Sequence, residues 1–464
     1  MEEIISEKKR KSSREIDMTS GKLFPKIVAF SLPLILTGVL QLLFNAADII
    51  VVGQFVNDGA VAAIGATSTT VNLMVNLFMG LAMGAGILMS RYYGSKNSER
   101  CFELVHTAMP LSLILGLTIA VVGYFVSPHL LRLINTPEEC IDQSTLYLSI
   151  YFIGSPFLMV YNFGAAILRA IGDTVRPLIF LTIAGIMNVI VNVILVVCFH
   201  MGVAGVAYAT ITSQAVSAIL VVITLIKEKG VAKYKIKSSK ITGSTLLEIV
   251  GLGVPSGLQG TLFSISNLLI QSTINGFGEI VVAANTAAVS LEGFVYISMN
   301  AISNTSSTVV GQNYGAGDFD RIKRAVKTCA IYSVALSLLI SIIILILQTP
   351  LLSLYLSTSE AIEWASVRLS IILPTYFILG IMDLLSNSMR GMGSSVTPMI
   401  ITLIGACLFR IAWIYTVFPI KRVYANVILS FPASWIVTLI ADIIAFVMLY
   451  RTKKKLFQNT QENF

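Results

Sequence analysis

Apolar residues follow one another with few interruptions through twelve stretches of the chain, at 27–55, 61–90, 102–126, 145–168, 176–199, 203–226, 245–275, 281–311, 325–347, 362–388, 396–419 and 424–450. Each exceeds the roughly 20 residues that carry a helix across a bilayer. None shows the strict alternation of a barrel strand, and hydrocarbon offers no partner to unpaired backbone groups. The pattern predicts an all-α polytopic membrane protein with twelve transmembrane helices. The first, second, seventh and eighth stretches approach thirty residues; at ~1.5 Å per residue that is about 45 Å, against ~30 Å of hydrocarbon. Such helices tilt, bend or protrude. Pro33 and Pro255 lie inside two of them and are the expected hinges, because proline removes a backbone donor and crowds the preceding turn.

Composition agrees with the pattern: of 464 residues, 55% are hydrophobic and 12% charged, with a mean hydropathy of +0.83. Basic residues sort to alternate connections. Lys8, Lys9, Arg10, Lys11, Arg14, Lys22 and Lys26 precede the first stretch, and Arg91, Lys96, Arg100, Arg169, Arg176, the basic run 227–240, the run from Arg321 to Lys327, Arg390 and the run 451–455 continue the series. The opposite connections hold Asp58, Glu138, Glu139, Asp142, Glu279, Glu360 and Glu363, with Lys421 and Arg422 as the exception. The positive-inside rule then predicts that both termini are cytoplasmic. The net charge of +8 fits contact with anionic membrane lipids, not nucleic acid. Cys101, Cys140, Cys198, Cys329 and Cys407 show no metal or disulfide spacing, and no cleavable signal peptide precedes the first stretch.

An internal repeat sets the expected architecture. Pro33, Leu40, Asn45 and Phe55 recur as Pro255, Leu262, Asn267 and Phe277 at an offset of 222. At an offset of 221, "RYYGSKNSER" (91–100) matches "QNYGAGDFDR" (312–321), and "RAIGDTVRP" (169–177) matches "RGMGSSVTP" (390–398). Six stretches per half give both halves the same orientation, a parallel repeat. The expected organisation is a cytoplasmic N-terminal segment 1–26, an N-lobe 27–226, a cytoplasmic linker 227–244, a C-lobe 245–450 and a cytoplasmic tail 451–464. Two such lobes suit rocking that opens a central cavity to each side in turn.

Enzyme signatures are missing: there is no phosphate-binding G-x-x-x-x-G-K-[ST], and His106, His129 and His200 stand far apart without H-E-x-x-H or a nucleophile elbow. The informative residues are the ionisable ones at membrane depth, which are costly and face a cavity or a partner. They are Asp48, Glu292, Asp383 and Asp442, with Arg410 opposing them. Excess acid suits an organic or coupling cation. Asp48 lies fifteen residues after Pro33, one turn beyond Asn45. Asn188 and Asn192, spaced i, i+4 on the fifth stretch, project together and could complete a site with it. A carboxyl taken out of water favours its neutral form and releases its proton when wetted, which is what a proton-coupled exchanger requires. Glu292, Asp383, its repeat counterpart Asn162, and Gln41 are candidate cavity residues. Asp383 and Arg410 differ by about 12 Å in depth at ~1.5 Å per residue, too far for direct pairing. Asp442 falls on the terminal, peripheral stretch, and Arg169 and Arg390 fit snorkelling toward headgroups.

The stretch "MTSGKLFPKIVAFSLPLILTGVLQLLFNAADIIVVGQF", the "GQNYGAG" after the eighth span and the two R-x-x-G-x-[ST]-V-x-P turns resemble the multidrug and toxic compound extrusion (MATE) family, over about Met18 to Tyr450. The resemblance implies an antiporter of two six-helix lobes that exports drug-like, often cationic compounds in exchange for protons or sodium ions. In that reading Asp48 looks like the N-lobe coupling aspartate of the prokaryotic type, and Asn188 fits the fifth-span asparagine of its cluster. Asn192 departs from a pattern that often has aspartate, and the seventh-span glutamate of other branches is missing from "SGLQGTLFSIS". No cofactor is implied beyond the coupling ion, H+ or Na+. The expected protein is a monomer in the bacterial cytoplasmic membrane. The alternatives are a lipid-linked saccharide flippase of the same superfamily, which calls for a cationic cavity, and a membrane sensor that transports nothing.

Overall fold

The computed structural model describes residues 15–56, 58–133 and 138–462. Lys8, Lys9, Arg10, Lys11 and Arg14 of the expected cytoplasmic segment lie outside the described residues, as do the side chains of Asp58, Glu138, Glu139 and Cys140. The described residues form helices joined by short connections, without strands. Spans one to three are the unbroken helices Leu23–Phe55, Asp58–Gly94 and Ser98–Leu133. The fourth is broken into Glu138–Ile153 and Ser155–Ala170, bent by 48°. Pro156, at the start of the second piece, has no N–H to continue the ladder across Gly154. The fifth, Val175–Val193, ends in a π-helical turn, Ile194–Cys198, and the sixth is Gly202–Lys227.

The second half repeats the series with Gly243–Asn275, Glu279–Gly315 and Phe319–Ile346. Its tenth span stays continuous where the fourth breaks: Ser359–Ile372 and Tyr376–Gly391 are joined through a tight 3-10 turn, Leu373–Thr375, that contains Pro374. The eleventh runs from Val396–Thr402 through a π-helical stretch, Leu403–Leu408, into Phe409–Thr416, and the twelfth is Tyr424–Glu462. Ten of these helices, and the bent fourth pair as an eleventh, are long and apolar enough to cross a membrane. The remaining one, Asp58–Gly94, has 37 residues, about 55 Å at the helical rise. Large apolar side chains such as Leu43, Ile50, Phe125 and Ile346 stay exposed, as lipid-facing helices require.

The chain forms two compact units. Of the described residues, one comprises 15–17 together with Leu32–Gly257, the other Met18–Ser31 and those from Leu258 onward. Of the three dividing points, the two inside helices fall beside a mid-helix proline, Pro33 or Pro255. The lobe limits expected from the sequence, 27–226 and 245–450, differ from this grouping because the starts of the first and seventh helices are bound elsewhere. In the first unit Gly80 and Gly84 meet Gly253 and Gly257 so closely that a Cβ on Gly80 would lie 2.2 Å from the Gly257 nitrogen, the small-residue contact that lets helix backbones touch. Arg100 Nη2 donates to Glu248 at 2.7 Å, and Tyr92 donates to the same carboxylate. The second unit mirrors this: Arg321, the repeat partner of Arg100, donates to the Met18 and Ser20 carbonyls at 2.9 and 2.6 Å.

The repeated R-x-x-G turn has a backbone cause. Gly172 and Gly393 adopt φ of +100° and +88°, where a side chain would be strained. A Cβ at Gly172 would also strike the Ile16 carbonyl at 2.3 Å.

Candidate functional site

Asp48 sits on the first helix in the first unit, and its position depends on a contact one turn earlier. The Phe44 ring lies against Gly185 of the fifth span, where any Cβ would come within 1.8 Å of its Cε2. With glycine there the two helices approach closely. Gly185, Asn188 and Asn192 share one helical face, so the same contact brings Asn192 to the carboxylate: its Nδ2 donates to Asp48 Oδ1 at 2.7 Å. Asn192 is fully buried and Asn188 nearly so. Their Oδ1 atoms are buried without a hydrogen-bond partner.

A small apolar cluster of Val51, Val52, Val196, Val203 and Val206, with Tyr147 packed on it, closes the side beyond Asp48. Three of these valines follow Asp48 or Asn192 by three or four residues, so the sequence that builds the polar pair also builds its dry wall. Gln41 and Asn45 continue the Asp48 stripe at i−7 and i−3 on the first helix and are exposed; neither is among the groups bonded to the carboxylate. The structure therefore unites Asp48 with Asn192, adds the Asn188 oxygen on the same face, and leaves Gln41 and Asn45 along the approach.

The chemistry of this group is that of an acceptor set. A carboxylate accepts, a carboxylic acid donates, and an asparagine amide serves either form by turning over. Surplus acceptor oxygens suit a proton on the carboxyl or a hard cation between the oxygens. No group of three or more His, Cys, Asp or Glu among the described residues could hold a metal ion.

The second unit carries different chemistry. Glu292 is buried and holds Arg368 through two parallel bonds, Nε–Oε1 at 2.7 Å and Nη2–Oε2 at 2.8 Å. Arg368 Nη1 donates to Asn285 Oδ1 at 3.0 Å, which also accepts from the Tyr424 hydroxyl. Glu292 thus presents no free carboxylate to a cavity. Arg368, which lies within the tenth apolar stretch, is the partner that a count setting Arg410 alone against the acids missed.

Asn162 is buried and donates to its own helix, to the Leu158 carbonyl at 2.8 Å. Its counterpart Asp383 is part-buried, within electrostatic reach of Arg390 and Tyr296. Arg390 does not snorkel: it is buried, donating to Asn387 at 2.8 Å and Gln259 at 2.5 Å. Nor is Asp442 peripheral. It is fully buried against the tenth span, accepting from Ser386 at 3.3 Å. Arg410 is fully buried and, as its depth indicated, is not paired with Asp383; it donates to Ser434 Oγ at 2.8 Å and Asn267 Oδ1 at 3.1 Å.

Comparison with known proteins adds findings of three kinds, from a family model, from relatives in sequence and from solved structures. A protein-family model described as MatE matches residues 33–194 and again 255–416, the two copies beginning at the two mid-helix prolines. A protein of Bacillus subtilis, "Probable multidrug resistance protein YpnP", is 29% identical over 85% of this chain and 88% of its own length. One of Shewanella oneidensis, named "FAD transporter", is 25% identical over 79% of this chain and 82% of its own. Among solved structures, "Outward-facing conformation of a multidrug resistance MATE family transporter of the MOP superfamily" superposes with a TM-score of 0.87 at 21% identity, covering 97% of this chain and 100% of that one.

Proposed function

Given that this chain belongs to the MatE family, whose model matches it twice, we propose that it is a secondary antiporter that exports drug-like organic compounds while protons enter, with Asp48 as the proton-carrying group. The observation that carries the reading is the Asp48–Asn192 bond beside two buried amide oxygens without partners. A permanently ionised acid would hold several donors around it; Asp48 accepts from one, Asn192 Nδ2, and the amide oxygens of Asn192 and Asn188 are left as acceptors that a protonated carboxyl could serve. Asp48 takes a proton when its site is open to the outside and releases it when the site is open to the cytoplasm. Asn192 follows by reorienting its amide. Asn188 supplies a second acceptor to the protonated form. Gln41 and Asn45 line the approach, and Pro33 and Pro255 are the hinges of an alternating-access cycle. No cofactor enters the scheme, one chain is the working unit, and both termini face the cytoplasm of the bacterium.

Relatives with multidrug resistance names support export of drug-like compounds, and the match to a MATE transporter fold supports a two-lobe exchanger. The test is dye efflux from cells or everted vesicles energised by respiration. Asp48→Asn should abolish ethidium movement at unchanged protein level. Normal efflux by that variant would remove Asp48 from the mechanism. Efflux that follows a sodium gradient and ignores a proton gradient would replace the coupling ion.

A further inference from the structure

The repeat puts an acid and a base at related places. In the first unit the first and fifth spans meet through Asp48 and Asn192. In the second unit the seventh and eleventh spans, their repeat partners, meet through Asn267 and Arg410. Asn267 is the counterpart of Asn45, and Arg410 lies one residue past the position matching Asn188. Where one unit offers a carboxylate, the other offers a guanidinium.

Arg410 is held by neutral groups alone. Ser434 and Asn267 accept two of its donors, the Phe431 and Phe263 rings lie 4.5 and 5.1 Å from its Cζ, and Nη2 is buried with no partner. Among the described residues no carboxylate pairs with it. Its neighbour provides the contrast. Arg368, 5.2 Å from the same Phe431 ring, is neutralised by Glu292 through two bonds. A buried guanidinium left unneutralised is costly, and a planar fork with a free donor matches a carboxylate or phosphate oxygen. Access is short. Arg410 has no exposed surface, yet Asn267, which covers its Nη1, is exposed at the face of the unit. The π-helical stretch Leu403–Leu408 ends just before Arg410, and such bulges recur where a helix re-aims a functional side chain.

We propose that Arg410, with Asn267 as its gate and the Phe431 ring beneath it, is an anion-receiving subsite, so that the exported compounds include amphipathic organic acids and zwitterions whose acidic group docks on Arg410. The proposal deepens the exporter reading and rests on it for the direction of transport, but binding can be measured apart from transport.

The probe is a matched dye pair, rhodamine B with its free carboxylate and its ethyl ester, with ethidium as a cation lacking any acid. Dye anisotropy is titrated against the purified full-length protein in nanodiscs, with empty nanodiscs subtracted. Wild type should bind the acid at least tenfold more tightly than the ester. Arg410→Gln should erase that preference while leaving ethidium binding within about twofold, and Arg410→Lys, which keeps the charge but loses the fork, should fall between. Equal binding of acid and ester by the wild type, or an acid preference that survives Arg410→Gln, would overturn the subsite; the wild-type ratio decides the matter even if the variant misfolds. Ethidium bound but not exported would instead count against the exporter reading, and leave the acid-to-ester ratio to judge Arg410.

Discussion

Asp48 is given its place by a residue with no side chain. Because a Cβ at Gly185 would overlap the Phe44 ring, Gly185→Val should force the first and fifth helices apart and pull Asn192 from the carboxylate. The expected result is at least a tenfold loss of dye efflux at normal membrane abundance, measured in cells alongside a blot; full efflux by Gly185→Val would show that the contact is not needed. The buried Glu292–Arg368 pair makes a prediction of a different kind. Removing one partner leaves the other charge buried and unpaired, at a cost of about 3–5 kcal/mol, whereas replacing both with apolar residues is often near neutral. Glu292→Gln should therefore lower the midpoint of thermal unfolding in detergent by several degrees, and Glu292→Leu with Arg368→Met should recover most of it. If the single and double variants melt alike, the pair is not an interaction of that size.

At the scale of the element, the first and seventh helices, with Pro33 and Pro255 inside them, are the parts expected to change shape. Each contains a dividing point between compact units beside its proline, and its start is anchored separately, through Arg321 on the Met18 and Ser20 carbonyls or through Arg100 on Glu248. Proline in mid-helix removes the bond to the carbonyl four residues earlier, so Pro33→Ala restores a donor and stiffens the helix. Efflux by Pro33→Ala should fall severalfold while dye binding persists; a variant that binds and transports normally would show that no bend is required there. The helices themselves were legible in the sequence, because continuous apolar runs leave a chain in lipid few alternatives, and the paired turns were legible because Gly172 and Gly393 mark positive φ. Asp48 stood out through its cost. What stayed hidden depends on neighbours distant in sequence: Gly185 means nothing until Phe44 faces it, and Arg368 is one arginine among many until it lies on Glu292, 76 positions away. The break in the fourth span and the tight turn in the tenth are hidden for a plainer reason, since Pro156 and Pro374 sit within runs that remain apolar throughout.

For the molecule as a whole, the chain is an all-helical member of a family of membrane transporters, built from a duplicated half whose copies have diverged in charge at related contacts. In the proposed exchange, one proton crossing 100 mV would yield ~2.3 kcal/mol, enough to sustain about a fiftyfold gradient of exported compound. So modest a drive calls, in that proposed exchange, for tight coupling, with Asp48 as the side chain that carries the proton. Purified wild-type protein and the Asp48→Asn variant are reconstituted into liposomes containing a pH-sensitive dye, with the membrane potential clamped to zero, and an outward ethidium gradient is imposed. The account predicts that ethidium leaving wild-type liposomes draws protons inward in fixed proportion and that Asp48→Asn moves neither. Proton entry that still accompanies ethidium in the Asp48→Asn liposomes would contradict it.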